Sequence, residues 1–271
     1  MSARGNNDLQ LSRIERLTLA IGEYVNERTT PKALQSQYHR LVCQRWIYQA
    51  VRNLLHIEGL ENVMTLSPAR GVLLCSNHRS FFDQFVLSIL LLRNTSWAKE
   101  LYFPVRANFF YETLSGLAVN LLVGGGVMYP PIFREHARAD LNKDSLDRLA
   151  KFLERPGAVV GIHPEGTRGK GPDPYQLLPA QPGGGQVALM ARPTIIPAWV
   201  NGLSNDLFRQ IAANFRPAKA QRIIVVFGKP VELGALAEGK PRLAQYKRVA
   251  DRILDDIRTL GEQERRLRAA L

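Results

Sequence analysis

Two short stretches of this chain carry residue types suited to acid–base chemistry. The first is Asn77-His78-Arg79-Ser80-Phe81-Phe82-Asp83, which lies between the apolar run Val72-Leu73-Leu74-Cys75-Ser76 and an apolar helical pattern. His78 and Asp83 are five residues apart, so on one continuous helix they would not share a face. With His78 in the loop and Asp83 in the first helical turn, the carboxylate reaches back to the imidazole. Such a pair holds one tautomer and stabilises the imidazolium that forms when the ring takes a proton. Ser80 to Asp83 is also an S-x-x-D helix start, so Asp83 is equally a candidate for half of a capping box.

The second stretch is His163-Pro164-Glu165-Gly166-Thr167-Arg168-Gly169-Lys170-Gly171, again after an apolar run. Glycines let backbone N–H groups approach an anion, and Arg168, Lys170 and the Thr167 hydroxyl add donors. A basic, glycine-rich turn with Glu165 paired to Arg168 is the plainer reading of the same residues. Gly171 and Pro172 stand where a Walker loop would end in GK[ST]. There is no G-x-S-x-G elbow and no H-E-x-x-H, and His39, His56 and His136 are scattered. Gly124-Gly125-Gly126 does not complete a dinucleotide fingerprint. A base without a protein nucleophile suggests direct transfer, in which the base activates a substrate hydroxyl or a water.

The elements that must hold these loops alternate. Buried strands are expected at Val72 to Ser76, Leu101 to Val105, Ala158 to Ile162, Thr194 to Val200 and Arg222 to Phe227, with a short one at Val127 to Tyr129. Helices are expected over Phe81 to Leu92, Phe109 to Leu122, Lys143 to Leu153 and Gln186 to Ala191. A C-terminal helix carries Leu243, Tyr246, Val249, Ile253, Ile257 and Leu260. This order predicts an α/β fold: a single, mostly parallel sheet flanked by helices, with chemistry at the loops after the strands' carboxyl ends. Ahead of it, residues 1–58 read as a helical hairpin. Asn7 or Asp8 is the expected first cap. Ile14, Leu17, Ile21, Tyr24 and Val25, then Leu34, Tyr38, Leu41, Val42, Ala50, Leu54 and Leu55, are the expected inward face. Residues 59–271 form the α/β domain.

Composition sets the frame. The chain has 271 residues, 45% hydrophobic and 22% charged, which excludes disorder for the bulk of it. Its formal charge of +12 favours anionic partners: nucleic acid, an acidic membrane surface or phosphorylated small molecules. Cys43 and Cys75 fit no metal spacing and no disulfide scaffold, so a reducing compartment is expected. The N-terminus lacks the pattern of a secretory signal. The longest uncharged run, Thr113 to Phe133, is broken by Asn120, Gly124 to Gly126, Pro130 and Pro131, which favours a buried or interfacial helix over a span.

Together the two loops resemble the signature blocks of the lysophospholipid acyltransferase family, which includes lysophosphatidate and glycerophosphate acyltransferases. Its N-H-x-x-x-x-D block is matched by Asn77, His78 and Asp83, and its F-P-E-G-T-R-S block by Pro164, Glu165, Gly166, Thr167 and Arg168. An apolar strand with P-x-x-P spacing resembles Pro193 to Pro197. The resemblance spans roughly Gly59 to Gly228 and departs from the family at His163, usually phenylalanine, and Gly169, usually serine.

The resemblance implies that His78 is the general base on an acceptor hydroxyl and that Asp83 orients it. The hydroxyl would attack the thioester of an acyl-CoA or acyl carrier protein directly. It further implies that Glu165, Gly166, Thr167 and Arg168 help hold a phosphate-bearing acceptor, aided by Arg134 and Arg106. No metal and no bound cofactor are implied; the acyl donor is a co-substrate. The acceptor it implies is 1-acyl-sn-glycerol-3-phosphate, with ornithine lipid or glycerophosphate as alternatives. The expected partners are the donor, a lysophospholipid and an anionic membrane surface, reached from the cytoplasmic face. The helical hairpin, with Tyr38, Trp46 and Tyr48, is a candidate interfacial anchor, and the Phe109 to Leu122 helix a second lipid contact or the lining of an acyl tunnel. The competing classes are a non-enzymatic basic protein binding nucleic acid or membranes, and a hydrolase using the same base on water. Basic residues are spread along the chain with no nucleic-acid motif.

Overall fold

The computed structural model describes residues 11–133, 138–216, 222–238 and 242–271. The chain begins with α1 (Arg13–Glu27), α2 (Thr29–Tyr38), a π-helical turn (His39–Cys43) and α3 (Gln44–Val51). Then come β1 (Leu55–Glu58), α4 (Glu61–Met64), β2 (Val72–Ser76), α5 (Asp83–Asn94), β3 (Glu100–Tyr102) and β4 (Val105–Arg106). Two short helices, α6 (Ala107–Phe110) and α7 (Leu114–Ala118), lead through a second π-helical turn (Val119–Val123) to β5 (Pro131–Ile132). The rest runs α8 (Ala139–Phe152), β6 (Ala158–Ile162), α9 (Pro182–Ala191), β7 (Thr194–Asn201), α10 (Leu207–Phe215), β8 (Ile223–Phe227), a 3₁₀ turn (Gly234–Ala237) and α11 (Leu243–Ala270).

The six-stranded sheet has the order β1-β8-β7-β2-β6-β3, and only the β7–β8 pairing is antiparallel. β2, β6 and β7 are apolar on both faces because helices cover both faces. Val72 and Leu74 join the core under α3 and α5, while Leu73 and Cys75 join the core under α8, α9 and α11. Both cysteines are free and buried.

Several elements differ from the sequence expectation. Leu54 and Leu55 do not extend a helix: the helical run stops at Val51, and Leu55–Glu58 pairs parallel with β8. The expected strand Leu101 to Val105 is broken after Tyr102 by Phe103 and Pro104, and β4 pairs with β5 in a separate ribbon; the short strand expected at Val127 to Tyr129 does not form. Phe109 to Leu122 is three pieces rather than one helix. α1 is capped by Ser12, in a capping box with Glu15, and Asn7 and Asp8 lie outside the described residues.

The N-terminal helices face only partly as expected: Ala50 and Leu54 are buried and Ile21, Val25, Tyr38 and Leu55 half-buried, but the rest of the expected face is turned out. Ile14, Leu17, Tyr24, Leu34, Leu41 and Val42 are exposed, and Thr18, Asn26, Lys32, Gln35 and His39 are buried. Four of these polar side chains serve carbonyls of β3 and of the irregular segment that leads from it to β5. Thr18 donates to Tyr111 O, Asn26 to Gly126 O at 3.1 Å, Lys32 to Leu101 O at 2.8 Å and Gln35 to Gly125 O. Buried main-chain oxygens need such donors, and that need outweighs the apolar face. Burial holds the Lys32 ammonium well below the ordinary lysine pKa.

α9 starts at Pro182 and takes in Gly183, Gly184 and Gly185, one turn earlier than the sequence suggests. A Cβ on Gly185 would overlap the Tyr246 carbonyl oxygen of α11, so glycine lets the two helices touch backbone to backbone. Gly185→Ala should lower stability by about 1–3 kcal/mol, the range for overpacking, read from the urea midpoint.

Candidate active site

The two loops meet at the carboxyl ends of the adjacent strands β2 and β6. Just past β2, Asn77 uses its side chain as a piece of strand: Nδ2 donates to Val200 O at 2.8 Å, and Oδ1 accepts from Val200 N–H at 2.9 Å. This carries the first loop one residue beyond the sheet while tied to β7. His78 follows, half-buried. Its Nδ1 lies 3.3 Å from Asp83 Oδ2, and the same oxygen accepts the N–H groups of Arg79 and Ser80, each at 2.7 Å. The imidazole partner and the helix-start acceptor are therefore one carboxylate, not alternatives. The Ser80 hydroxyl does not complete the capping box; it donates to Ser204 O and accepts from Phe82 N–H.

His163 lies parallel to His78, with ring centroids 3.7 Å apart and 6° between planes, and its Nδ1 sits 3.2 Å from both the carbonyl and the hydroxyl of Ser76. It thus fills, flat against the His78 ring, the place an aromatic ring would take. His78, Asp83 and His163 bring one ligand atom each within 4.8 Å of one another. The residues do not fit a metal. In-plane lone pairs of two parallel rings run side by side and do not converge on one ion at about 2 Å.

Glu165 is buried, and both of its oxygens are occupied: Oε1 accepts His78 N–H at 2.8 Å and Oε2 accepts Leu178 N–H at 2.7 Å. It thereby braces the first loop against the second and against the segment at Leu178. Gly166 takes a left-handed φ of 66°, which glycine adopts without strain. Gly169 N–H donates to His78 O at 2.9 Å, binding the second loop to the first. Thr167 Oγ1 accepts from Arg106 Nη2 at 3.0 Å, so the residue at the end of β4 does reach the glycine-rich loop. Arg168 donates to Asn205 Oδ1 at 2.8 Å, and that oxygen also accepts Phe81 N–H at 3.0 Å. Arg134 lies outside the described residues.

Sequence reasoning missed Asn205, which joins the loop after β7 to both motifs, and gave no bonding role to Asn77. No local pattern marks Asn205, whereas an asparagine directly after a buried strand was a usable signal for Asn77. A cavity of about 350 Å³ between α1 and α8, walled by Leu19, Pro131 and Arg148 among others, includes none of these residues.

Burial, then the Arg168 and Arg106 guanidinium groups, hold His78 well below the ordinary histidine pKa, so its ring is neutral and able to accept a proton. Burial pushes Asp83 up to about 6, against the two N–H donors and nearby cations. At neutral pH the pair is a neutral imidazole facing a carboxylate. That arrangement can take a proton from a hydroxyl and hold the resulting imidazolium beside a negative charge.

The model of one protein family, described as Acyltransferase, matches residues 54–201. No curated protein sequence matches the chain. Among solved structures, a similar one is the 1-acyl-sn-glycerophosphate (LPA) acyltransferase PlsC from Thermotoga maritima. The TM-score is 0.48 at 15% identity, over 96% of this chain and 88% of that one.

Burial, then His78, pushes His163 down to about 3. The unfolded chain takes this proton below about 6.5 and the folded one refuses it, so stability is lost as pH falls from 6.5 toward 3. His163→Phe removes that loss while keeping the stack. Urea unfolding at about pH 7.5 and about pH 5 should show a smaller acid penalty in the variant.

Proposed function

Because the chain belongs to the Acyltransferase family, we propose that it moves a fatty acyl group from a thioester to the hydroxyl of a lysophospholipid, with His78 as general base. The observation that carries this reading is the His78–Asp83 contact at the mouth of the sheet, beside Arg106 and Arg168. Asp83 holds Nδ1, which leaves Nε2 as the ring nitrogen for the acceptor. Nε2 takes the hydroxyl proton as the oxygen attacks the thioester carbon. The C–O bond forms, the C–S bond breaks, and the proton returns from His78 to the thiolate that leaves. Asp83 balances the imidazolium between those two events.

The two arginines give the acceptor its chemistry. Planar guanidinium groups suit a phosphate, and a phosphate between them offsets the positive field that suppresses His78. Binding a phosphorylated acceptor would therefore make the base stronger at the moment it is needed. This supports lysophosphatidate over an uncharged acceptor, with acyl-CoA or acyl carrier protein as donor.

An anionic membrane surface is the source of that acceptor in this reading. The outward Ile14, Leu17, Leu34 and Leu41 of the N-terminal helices, with Phe109, Leu114 and Leu122 from the segment they clamp, support an interfacial anchor. No helix among the described residues is long and apolar enough to cross a membrane.

The test is thiol release from acyl-CoA, with and without lysophosphatidate in detergent, and a mass spectrum of the lipid product. Lysophosphatidate should accelerate release, and His78→Ala should lower kcat by about 100-fold or more. Full turnover in that variant removes the mechanism. Thiol release indifferent to the lipid, with free fatty acid as product, replaces transfer by hydrolysis. Arg168→Ala should raise KM for lysophosphatidate more than it lowers kcat, read from initial rates over a range of acceptor.

A further inference from the structure

α10 is a helix turned inside out. Its buried positions are Gln210 and Asn214, one turn apart, while Phe208 is 84% exposed and Phe215 67%. A surface helix ordinarily shows the reverse. The amides, with Ile211 and Ala213 packed against the core, hold it in place. Gln210 Oε1 accepts Ser204 N–H at 2.9 Å, Asn214 Oδ1 accepts Asn53 N–H at 2.9 Å, and Asn214 Nδ2 donates to Gln49 O at 2.8 Å. Asn53 Nδ2 returns a bond to Asn214 O at 3.0 Å, and Asp206 caps the first turn through Arg209 N–H. The clamp fixes α10 beside the end of α3 without using either phenyl ring, and its fixed orientation keeps both rings outward.

The charge along this stretch is mostly positive. From Asp206 to Glu232 the sequence holds Arg209, Arg216, Lys219, Arg222 and Lys229 against those two end residues, and of these Asp206 is exposed at the cap of the helix. Arg209 and Arg216, each next to one of the two phenylalanines, are exposed, as are Arg45 and Arg52 on and just after α3. Two phenyl rings of roughly 200 Å² each fall short of the about 800 Å² per partner of a stable protein interface. Aromatic side chains flanked by cations suit the headgroup layer of an anionic bilayer, where shallow insertion and phosphate pairing act together.

The helix also starts at the rim of the candidate active site. The loop before it holds Asn205, whose amide accepts from Arg168 and Phe81 N–H and donates to Arg79 O at 3.2 Å. We propose that α10 is a membrane-contact element: Phe208 and Phe215 enter an anionic bilayer, Arg209 and Arg216 pair with its phosphates, and the contact seats the site mouth on the lipid surface. Only the last clause rests on the acyl-transfer reading.

The experiment compares the full chain with Phe208→Glu/Phe215→Glu and with Arg209→Gln/Arg216→Gln. Each is sedimented with vesicles of phosphatidylethanolamine plus phosphatidylglycerol, and with phosphatidylcholine vesicles. Exposed positions tolerate these changes, and circular-dichroism melting checks that they have. The parent chain should bind the anionic vesicles, and both variants should partition about tenfold less or weaker. Turnover of detergent-solubilised lysophosphatidate should stay as in the parent, because none of the four residues belongs to the site. Undiminished vesicle binding by the Phe variant overturns the proposal, as does failure of the parent to bind. A parent that is dimeric by analytical ultracentrifugation while the Phe variant is monomeric also overturns it, assigning the face to a second copy. If the parent binds vesicles through α10 but transfers no acyl group, the contact stands and the function reading falls.

Discussion

Everything at the site depends on one buried carboxylate oxygen. Asp83 Oδ2 accepts two backbone N–H groups and faces an imidazole nitrogen. Desolvation alone would neutralise a carboxyl group in such a place, and burial does raise its pKa. The two N–H donors oppose that, because hydrogen bonds to the charged form favour it. They also fix where the oxygen sits, at the start of α5, so the imidazole is aimed by main chain rather than by another flexible side chain. Folding of the helix start and orientation of the His78 ring are thus one event.

The second loop acts on the first mostly through backbone. Glu165 holds the His78 N–H, Gly169 N–H binds the His78 carbonyl, and Arg79 donates to Gly171 O at 2.6 Å. A buried carboxylate with both oxygens engaged by N–H donors is a rigid part, and removing it would strand two donors. His163 adds a flat wall to the ring. Arg168 and Arg106 bring cations to the two loops and donate to Asn205 and Thr167.

The His78–Asp83 spacing and the central strands were legible in the sequence because their physics is local. A run such as Val72 to Ser76 is apolar on both faces only where helices cover both, and a His–Asp pair five apart closes only across a loop-to-helix junction. What was illegible depended on distant partners. β1 needs β8, which lies over 160 residues later in the pairing of Leu55 with Ile223. Glu165 reads as half of an ion pair with Arg168, yet its partners are N–H groups of residues 78 and 178. Asn205 sits in a loop with no pattern at all.

The inverted helices expose a limit of periodicity itself. In α1 the apolar residues recur every three or four positions, and so do Glu15, Thr18, Gly22 and Asn26 one step round the cylinder. Period fixes that a helix is amphipathic; it does not fix which face the rest of the chain requires. The choice is made by carbonyls of β3 and of the segment from it to β5, which call for buried donors, and in α10 by the main chain around Gln49 and Asn53. Once the polar face is committed inward, the apolar one has nowhere to go but out. An exposed apolar stripe costs free energy in water, and that cost falls when a less polar phase covers the stripe. The same internal hydrogen bonds that complete the fold therefore leave outward the surfaces through which the chain is proposed to meet lipid.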